Sequence, residues 1–306
     1  MTSSTVTSSI PQERGMADIR RILCPTDFSE FSDIAFRYAL SIAEHYRGKL
    51  LVQHVVESWQ HPEAAFVPAH YYVEFRSHLI RKGQEELQRF VKNHANNGIQ
   101  PEPVVDQGIA ADSILALAEA QEVDLIVMGT HGRRGFDRLM VGSVTERVLR
   151  KASCPVLAVH KPSRDFLSLR EQDPIRLNRI LFCTDFSENS RQALSYALSL
   201  TAEYNAELTL LHVLKEIPGA SIIDEAIAME QLDSLIPLEK PKAGRIRSMV
   251  RKGSAYQQII QFASEEQTDV VIMAVRGRGA LNAAVFGSTT YRVIQLGPCP
   301  VLAVHF

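Results

Sequence analysis

The sequence is poor in features that mark membrane and secreted proteins. No apolar run approaches the roughly 20 residues of a membrane span. The N-terminal stretch is rich in serine and threonine and lacks the apolar core of a signal peptide. We therefore expect residues 1–17 to be a disordered tail and the protein to be cytoplasmic, without membrane contact.

Cysteine is scarce as well. The four cysteines form no C-x-x-C pair, and no cluster of histidine and cysteine has the spacing of zinc ligands. We therefore expect no metal-binding cluster of side chains. The four thiols are expected to be buried and reduced, as is typical of a cytosolic protein.

The chain also lacks a strong net charge. Lysine and arginine number 33 and aspartate and glutamate 35, which gives a formal charge of -2. No basic field exists to attract nucleic acid, so we expect no nucleic-acid partner. With 306 residues, of which 45% are hydrophobic, the chain is long enough for two domains with a core each.

What the chain does contain is an internal repeat. The pentapeptide TDFSE at 26–30 recurs at 184–188, an offset of 158. The heptapeptide CPVLAVH at 154–160 recurs at 299–305, an offset of 145. Identities of this length in the same order indicate a tandem duplication, in which the second copy has lost 13 residues, 158 minus 145.

Each copy alternates apolar strands with amphipathic helices. This pattern predicts an α/β fold of the doubly wound type, with a parallel sheet and helices on both faces. The deletion falls on the second helix of copy two, where Pro218, Pro237 and Pro241 indicate a shorter and more broken helix. The predicted organisation is a tail over 1–17, one domain over 18–161, a linker over 162–176 and a second domain over 177–306.

The segment after the fourth strand of copy one carries a glycine pattern suited to phosphate. It reads GTHGRRGFDRLMVGS over 129–143: glycine, two residues, glycine, nine residues, glycine, serine. Glycines let backbone N–H groups approach phosphate oxygens closely, and a helix that begins at Ser143 would direct its first N–H groups at an anion. Arg133, Arg134 and Arg138 add cations. Neither the Walker A pattern nor the dinucleotide pattern fits.

Two interpretations of this loop stay open at the level of sequence. Glycines after a strand are often turn residues, and Ser143 with Glu146 forms an S-x-x-E capping box that needs no ligand. In open parallel sheets, however, ligands bind beyond the carboxyl ends of the strands at the topological switch point. The position of the whole loop there favours nucleotide binding.

These residues together resemble the universal stress protein family in its tandem form. The resemblance rests on TDFS after the first strand, HV after the second, the glycine loop and the closing CPVLAV, and it covers both copies. It implies a five-stranded parallel sheet of order 3-2-1-4-5 in each domain and a contact between domains through the fifth strands. It also implies that ATP, with Mg²⁺, is held at the glycine loop.

Carried over by position, Asp27 and Val55 would flank adenine and ribose, Met128 and Gly129 would contact the nucleoside, and the remaining loop residues would hold the phosphates. The residues expected to bind ATP in domain one are Pro25, Thr26, Asp27, Val55, Met128, Gly129, Gly132, Arg133, Gly142, Ser143 and Val144.

Copy two departs from the pattern. Ala274 stands in place of Gly129, where a methyl could block close backbone approach or require a φ that only glycine takes cheaply. Cys183 stands in place of Pro25. We therefore expect weak or absent binding in domain two. Its matching residues are Asp185, Val213, Gly277, Gly287, Ser288 and Thr289.

The leading hypothesis is an ATP-binding stress-response regulator or sensor, with nucleotide held mainly by domain one. No positioned general base or Walker-type lysine is legible, so any ATP hydrolysis should be slow. The alternatives are a nucleotide-independent structural or chaperone-like protein and a slow ATPase. His54 and His131 are expected to be structural, a homodimer is possible, and Cys154 and Cys299 could lie near each other if the last strands meet.

Overall fold

The computed structural model describes residues 19–57, 69–94, 98–132, 140–160, 175–215, 222–236, 245–275 and 287–305. The predicted tail, most of the predicted linker, Arg133 and Gly277 lie outside these ranges, as do the three prolines of the shortened second helix.

Within the described ranges, the first half contains five strands and four helices: β1 (Arg21–Pro25), α1 (Glu30–Tyr46), β2 (Lys49–Glu57), α2 (Ala69–His94), β3 (Glu102–Gly108), α3 (Ala110–Ala120), β4 (Leu125–Gly129), α4 (Ser143–Lys151) and β5 (Val156–Val159). The second half repeats the plan: β6 (Arg179–Cys183), α5 (Glu188–Tyr204), β7 (Glu207–Leu214), α6 (Ile222–Ser234), β8 (Ile246–Lys252), α7 (Ala255–Glu265), β9 (Val270–Ala274), α8 (Ser288–Leu296) and β10 (Val301–Val304).

The strands of each half are parallel and follow the order 3-2-1-4-5, which confirms the predicted fold class. The ten strands form one sheet because β5 and β10 lie side by side in antiparallel orientation. Leu157 stands opposite Leu302 in this pair. These two leucines are equivalent in the repeat, so a pseudo-two-fold axis passes between them.

Apolar side chains cover both faces of the sheet. In β1, Ile22 and Cys24 pack into the cluster that includes α1, whereas Leu23 packs on the other face with α3 and α4. Because both faces are buried, the central strands are continuously apolar rather than alternating. Within the described ranges, no helix is both long and apolar enough to cross a bilayer.

The second helices of the two halves differ as the deletion predicts. Helix α2 has 26 residues and α6 has 13. The first helices, in contrast, begin alike: Ser29 caps α1 by accepting a hydrogen bond from the N–H of Ser32, and Ser187 caps α5 from Ser190. The duplication therefore kept the helices that follow the first strands and shortened the one that follows the second.

All four cysteines are buried, as expected, and none of them forms a disulfide. Burial raises the pKa of the Cys154 thiol to about 12, so this thiol is protonated at neutral pH. The expectation that Cys154 and Cys299 lie near each other is wrong. Since β5 and β10 run antiparallel, with Val156 opposite Ala303, the residues that precede them lie at opposite ends of the strand pair.

Candidate functional site

The candidate site lies where β1 has β2 on one side and β4 on the other. This is the topological switch point of a doubly wound sheet, and the carboxyl ends of its strands are the usual place for a ligand. Pro25 and Met128, near the ends of β1 and β4, are buried, and Val55 of β2 is half-buried. The ends of these three strands therefore carry apolar side chains that are at least half-buried.

The turn between β1 and α1 fixes the position of Asp27. One oxygen of its carboxylate, Oδ1, accepts a hydrogen bond from the N–H of Ser29 at 3.1 Å. Phe28 adopts a left-handed φ of 61°, which is uncommon for a residue with a side chain. Such a conformation persists only where its surroundings enforce it. The carboxylate is therefore held in place by the turn.

Thr26 supplies those surroundings. Its hydroxyl accepts a hydrogen bond from the N–H of Phe28 at 3.0 Å and lies 3.1 Å from the hydroxyl of Ser32. Its own N–H donates to the carbonyl of Gln53 at 2.8 Å. Its carbonyl accepts from Nδ1 of His54 at 2.9 Å. Every polar group of Thr26 is thus engaged within the protein, which makes it a positioning residue for Asp27.

His54 has the structural role expected of it. Its ring lies 4.4 Å from the ring of Phe28, in addition to the hydrogen bond to Thr26. His131 is also tied into the fold: its Nδ1 is 2.9 Å from the hydroxyl of Thr130, and its ring lies 5.0 Å from that of Phe31. Burial lowers the pKa of His131, which favours a neutral ring at pH 7.

The second glycine of the loop lies directly against the acidic residue. A Cβ placed on Gly132 would stand 2.7 Å from Oδ2 of Asp27. A Cβ placed on Gly142 would stand 3.9 Å from the backbone nitrogen of Gly132 and 3.3 Å from the carbonyl oxygen of Thr130. The structure therefore brings together Asp27, Gly132 and Gly142, which are far apart in sequence.

The first glycine of the loop, Gly129, lies against the backbone of α1. A Cβ on Gly129 would lie 2.9 Å from the backbone carbon and oxygen of Phe31, so this glycine lets β4 approach α1. Of the two alternatives given for this position, the structure supports close backbone approach and not a left-handed φ, because the described glycines with positive φ are Gly108 and Gly253. The carbonyl of Gly129 accepts a hydrogen bond from the hydroxyl of Thr145 at 2.8 Å.

Helix α4 begins without a side-chain cap. Gly142 is its N-cap residue and Ser143 its first helical residue, so the alternative of a capping box is wrong. Glu146 instead pairs with Arg150 at 2.7 Å. The N–H of Gly142 is already used, because it donates to the carbonyl of Thr130 at 2.7 Å. The N–H groups of Ser143 and Val144 belong to the first turn, where a helix offers no acceptor.

Sequence reasoning missed Gln53. This side chain is fully buried in β2, and its amide nitrogen donates to the carboxylate of Asp106 at 2.6 Å and to the carbonyl of Ser113 at 3.2 Å. Copy two has Leu211 in its place. The sequence did contain a signal for this role, because Gln53 is a single amide side chain within the apolar run of β2. This polar contact holds β2, β3 and α3 together beside the site.

Domain two repeats the frame of the site. Oδ1 of Asp185 accepts from the N–H of Ser187 at 3.0 Å, and Phe186 has a φ of 60°. Partial burial opposes the charge of Asp185, but hydrogen bonds from Ser187 and Ser190 prevail and hold its pKa below the ordinary value. The aspartate turn has therefore survived in both copies.

Helix α8 begins at Ser288 with Gly287 as its N-cap, as α4 does in domain one. Ser288 is exposed, and Thr289 and Val213 are half-buried. The two sites differ instead at the strand ends, where Cys183 and Ala274 replace Pro25 and Gly129.

The described residues include no cluster of three or more histidine, cysteine or acidic side chains that could hold a metal ion. A divalent ion at this site would need ligands from a bound molecule. The protein can offer the carboxylate of Asp27 and the hydroxyl of Ser143, which are the oxygen ligands that Mg²⁺ prefers.

The chain is similar in sequence to known proteins of one family. A model of the universal stress protein family matches residues 18–160 and again residues 176–305. Universal stress protein MJ0531 of Methanocaldococcus jannaschii is 36% identical over 149 residues, which cover 48% of this chain and 85% of the relative. Universal stress protein Rv2623 of Mycobacterium tuberculosis is 25% identical over 303 residues, which cover 93% of this chain and 96% of the relative.

A solved structure extends the likeness to three dimensions. A universal stress protein from Archaeoglobus fulgidus superposes with a TM-score of 0.69 at 23% identity, over 94% of this chain and 99% of that one. The shared fold thus spans both halves of the chain. With the family model matched once in each half, the chain belongs to the universal stress protein family.

Proposed function

We propose that domain one binds ATP beyond the carboxyl ends of β1 and β4. The observation that carries this proposal is the meeting of Asp27, Gly132 and the start of α4 in one place. The carboxylate of Asp27 can accept hydrogen bonds from hydroxyl or amino groups. It lies beside the backbone N–H groups at the start of α4, which can donate to phosphate. That combination matches the two ends of a nucleotide.

Each part of ATP has a counterpart in this arrangement. The phosphates would accept hydrogen bonds from the N–H groups of Ser143 and Val144, aided by the positive end of the α4 dipole. Asp27 would accept from ribose or adenine, and Val55 would contact the base. Mg²⁺, if it accompanies ATP, would be held by phosphate oxygens, water and the hydroxyl of Ser143. Arg133 remains a proposed phosphate contact.

We propose that domain two binds ATP weakly or not at all. Its aspartate turn and helix start are preserved, and among the described residues of the site the strand ends differ between the copies. Ala274 carries a methyl where Gly129 allows β4 to approach α1. The matching approach of β9 to α5 must therefore differ, which would shift the aspartate turn relative to the helix start.

We propose that occupancy by ATP regulates the protein rather than drives rapid turnover. A ligand shifts a conformational equilibrium only through its different affinity for the two states. The site lies on loops, which can take a different conformation with and without ligand. Four buried, reduced thiols support a reducing compartment, and we propose the cytoplasm.

Titration calorimetry of the full chain with ATP and Mg²⁺ tests the site. We expect one ATP per chain. Gly132→Val should weaken binding at least tenfold, because its side chain would displace Asp27. Gly287→Val, in the glycine that precedes α8 in domain two, is the control: a Cβ there meets nothing closer than 3.7 Å, and domain two is not expected to contribute.

Each other outcome has a defined meaning. No binding by the intact chain would overturn the proposal and favour the nucleotide-independent alternative. Two ATP per chain would overturn the proposed inequality of the domains. Steady release of ADP that Ser143→Ala abolishes would indicate an ATPase instead of a sensor.

We also propose that the pairing of β5 with β10 is a permanent interface between the two domains. One chain would then correspond to a dimer of single-domain proteins. The antiparallel register around Leu157 and Leu302 supports this arrangement. It gives each domain a neighbour for its otherwise open edge strand, which reduces pairing with other chains.

A further inference from the structure

The contact between the two halves is built from equivalent residues. On one face of the sheet, an apolar cavity between α1 and α5 is lined mainly by matched positions of the two copies, and Tyr38, Ile175, Leu177 and Pro300 line it from one copy only. The matched pairs are Ile42 with Leu200, Tyr46 with Tyr204, Leu125 with Val270 and Leu157 with Leu302. Strands β5 and β10 both read VLAV. Surfaces this similar would serve the pairing of either half with itself equally well.

One position breaks this equivalence in charge. His45 of α1 and Glu203 of α5 are separated by 158 residues, the offset of the repeat, so they occupy the same place in the two copies. Nε2 of His45 lies 2.8 Å from Oε1 of Glu203. The imidazole also stacks on the ring of Tyr204, with centroids 4.5 Å apart and planes 17° apart.

When a residue contacts its own equivalent across a two-fold axis, the chemistry of that contact depends on which two halves are paired. Two copies of domain one would bring imidazole against imidazole, and two copies of domain two would bring carboxylate against carboxylate. Two neutral imidazoles can share one hydrogen bond, but two protonated imidazoles or two carboxylates repel each other. The mixed pair instead combines a hydrogen bond with attraction when the histidine is protonated. Repulsion in the wrong pairs is an effective source of specificity.

We propose that His45 and Glu203 determine which domains pair at the pseudo-two-fold axis. They favour the pairing of domain one with domain two over the pairing of two copies of domain one or of two copies of domain two. This inference rests on the proposed pairing of β5 with β10. It identifies the fitting partner by its chemistry: a universal stress protein surface of the same shape with an acidic residue at the position of Glu203.

A charge exchange in the full-length chain tests the proposal. His45→Glu places two carboxylates at the axis, and Glu203→His places two imidazoles there. The double variant restores the pair with its polarity reversed. Both side chains are partly exposed, at 34% and 42%, so the variants should fold. The readout is amide hydrogen exchange in Val156–Val159 and Val301–Val304.

We expect His45→Glu to speed exchange of these amides roughly two- to fivefold, the range that exposed charge pairs produce. The double variant should return to near the wild-type rate. Lys82→Glu is the control, because it places like charges beside Glu86 within α2, away from the axis. It should leave these amides unchanged.

Failure of the selection and failure of the pairing give different results. If wild-type amides of β5 and β10 exchange as fast as those of the edge strands β3 and β8, the pairing itself is overturned. If they are protected but His45→Glu changes nothing, or the double variant is no better than the single one, the selective role of His45 and Glu203 is overturned.

Discussion

Two glycines three residues apart in the same loop face different neighbours. Gly132 faces the carboxylate of Asp27, and Gly129 faces the backbone of Phe31. A side chain at position 132 would disturb the proposed ligand contact, whereas one at position 129 would disturb the packing of β4 on α1. The loop pattern alone does not distinguish these roles.

Gly129→Ala should therefore act on stability. Because the added methyl would lie 2.9 Å from main-chain atoms of α1, the helix must shift. We expect the free energy of unfolding to fall by about 1–3 kcal/mol, as for other overpacked sites. Urea denaturation of the full-length chain measures the change.

The reverse substitution in copy two provides the comparison. Ala274→Gly removes a methyl that its surroundings already accommodate, so it should cost no more than about 1 kcal/mol through the added freedom of glycine. Equal stability of Gly129→Ala and the wild type would contradict the packing role of Gly129.

Among the elements, the second helix distinguishes the two domains. The longer α2 is tied at its end to α1, where Nε2 of His94 lies 2.5 Å from Oδ1 of Asp33 and Nδ1 donates to the carbonyl of Phe90. The hydrogen bond with Asp33 raises the pKa of His94, and the same bond lowers the pKa of Asp33. Copy two has Arg191 at the position of Asp33.

The pH dependence of the free energy of unfolding should reveal the contribution of the contact between His94 and Asp33. A histidine whose pKa rises on folding stabilises the protein fully below its unfolded pKa, about 6.5, and the gain is lost as pH rises through the folded pKa. Asp33 has the opposite sign, and its contribution is lost on acidification. We expect the wild type to lose about 0.5–1 kcal/mol between roughly pH 6 and pH 9, relative to His94→Gln.

Unfolding by urea at several pH values checks this difference. His78→Gln serves as the control, because His78 lies exposed on the same helix. Its profile should follow that of the wild type. Parallel profiles for the wild type and His94→Gln would show that the contact between His94 and Asp33 carries no net stabilisation.

At the scale of the whole molecule, the central strands join two domains into one sheet of ten strands. If this junction is stable without a covalent link, cutting the chain between the domains should leave the halves together. We expect a chain with a protease site inserted within 162–170 to elute, after cleavage, at the volume of the uncut 34.2 kDa protein.

The cleaved sample in denaturing urea provides the reference for separated halves. Two smaller species in native buffer would contradict the pairing of β5 with β10, whatever the state of the nucleotide site. The same cleaved sample, titrated with ATP, would reveal whether domain one needs its neighbour in order to bind.

The duplication, the fold class and the unequal second helices follow from the amino-acid sequence alone, whereas the strand order was predicted from the resemblance to the universal stress protein family. Apolar runs and helix periodicity are local properties, and the identities between copies are read directly. The sequence also predicted which strand ends meet at the candidate site, because the topology of a parallel sheet places them together.

The neighbours of each site residue became known from the three-dimensional contacts. Thr26 is engaged entirely by Gln53, His54, Phe28 and Ser32, and these contacts depend on the register of β1 and β2. The meeting of His45 with Glu203 depends on the antiparallel junction of the two halves. A one-dimensional pattern records which residues are present, but distances between chain-distant atoms arise only when strands and helices pack.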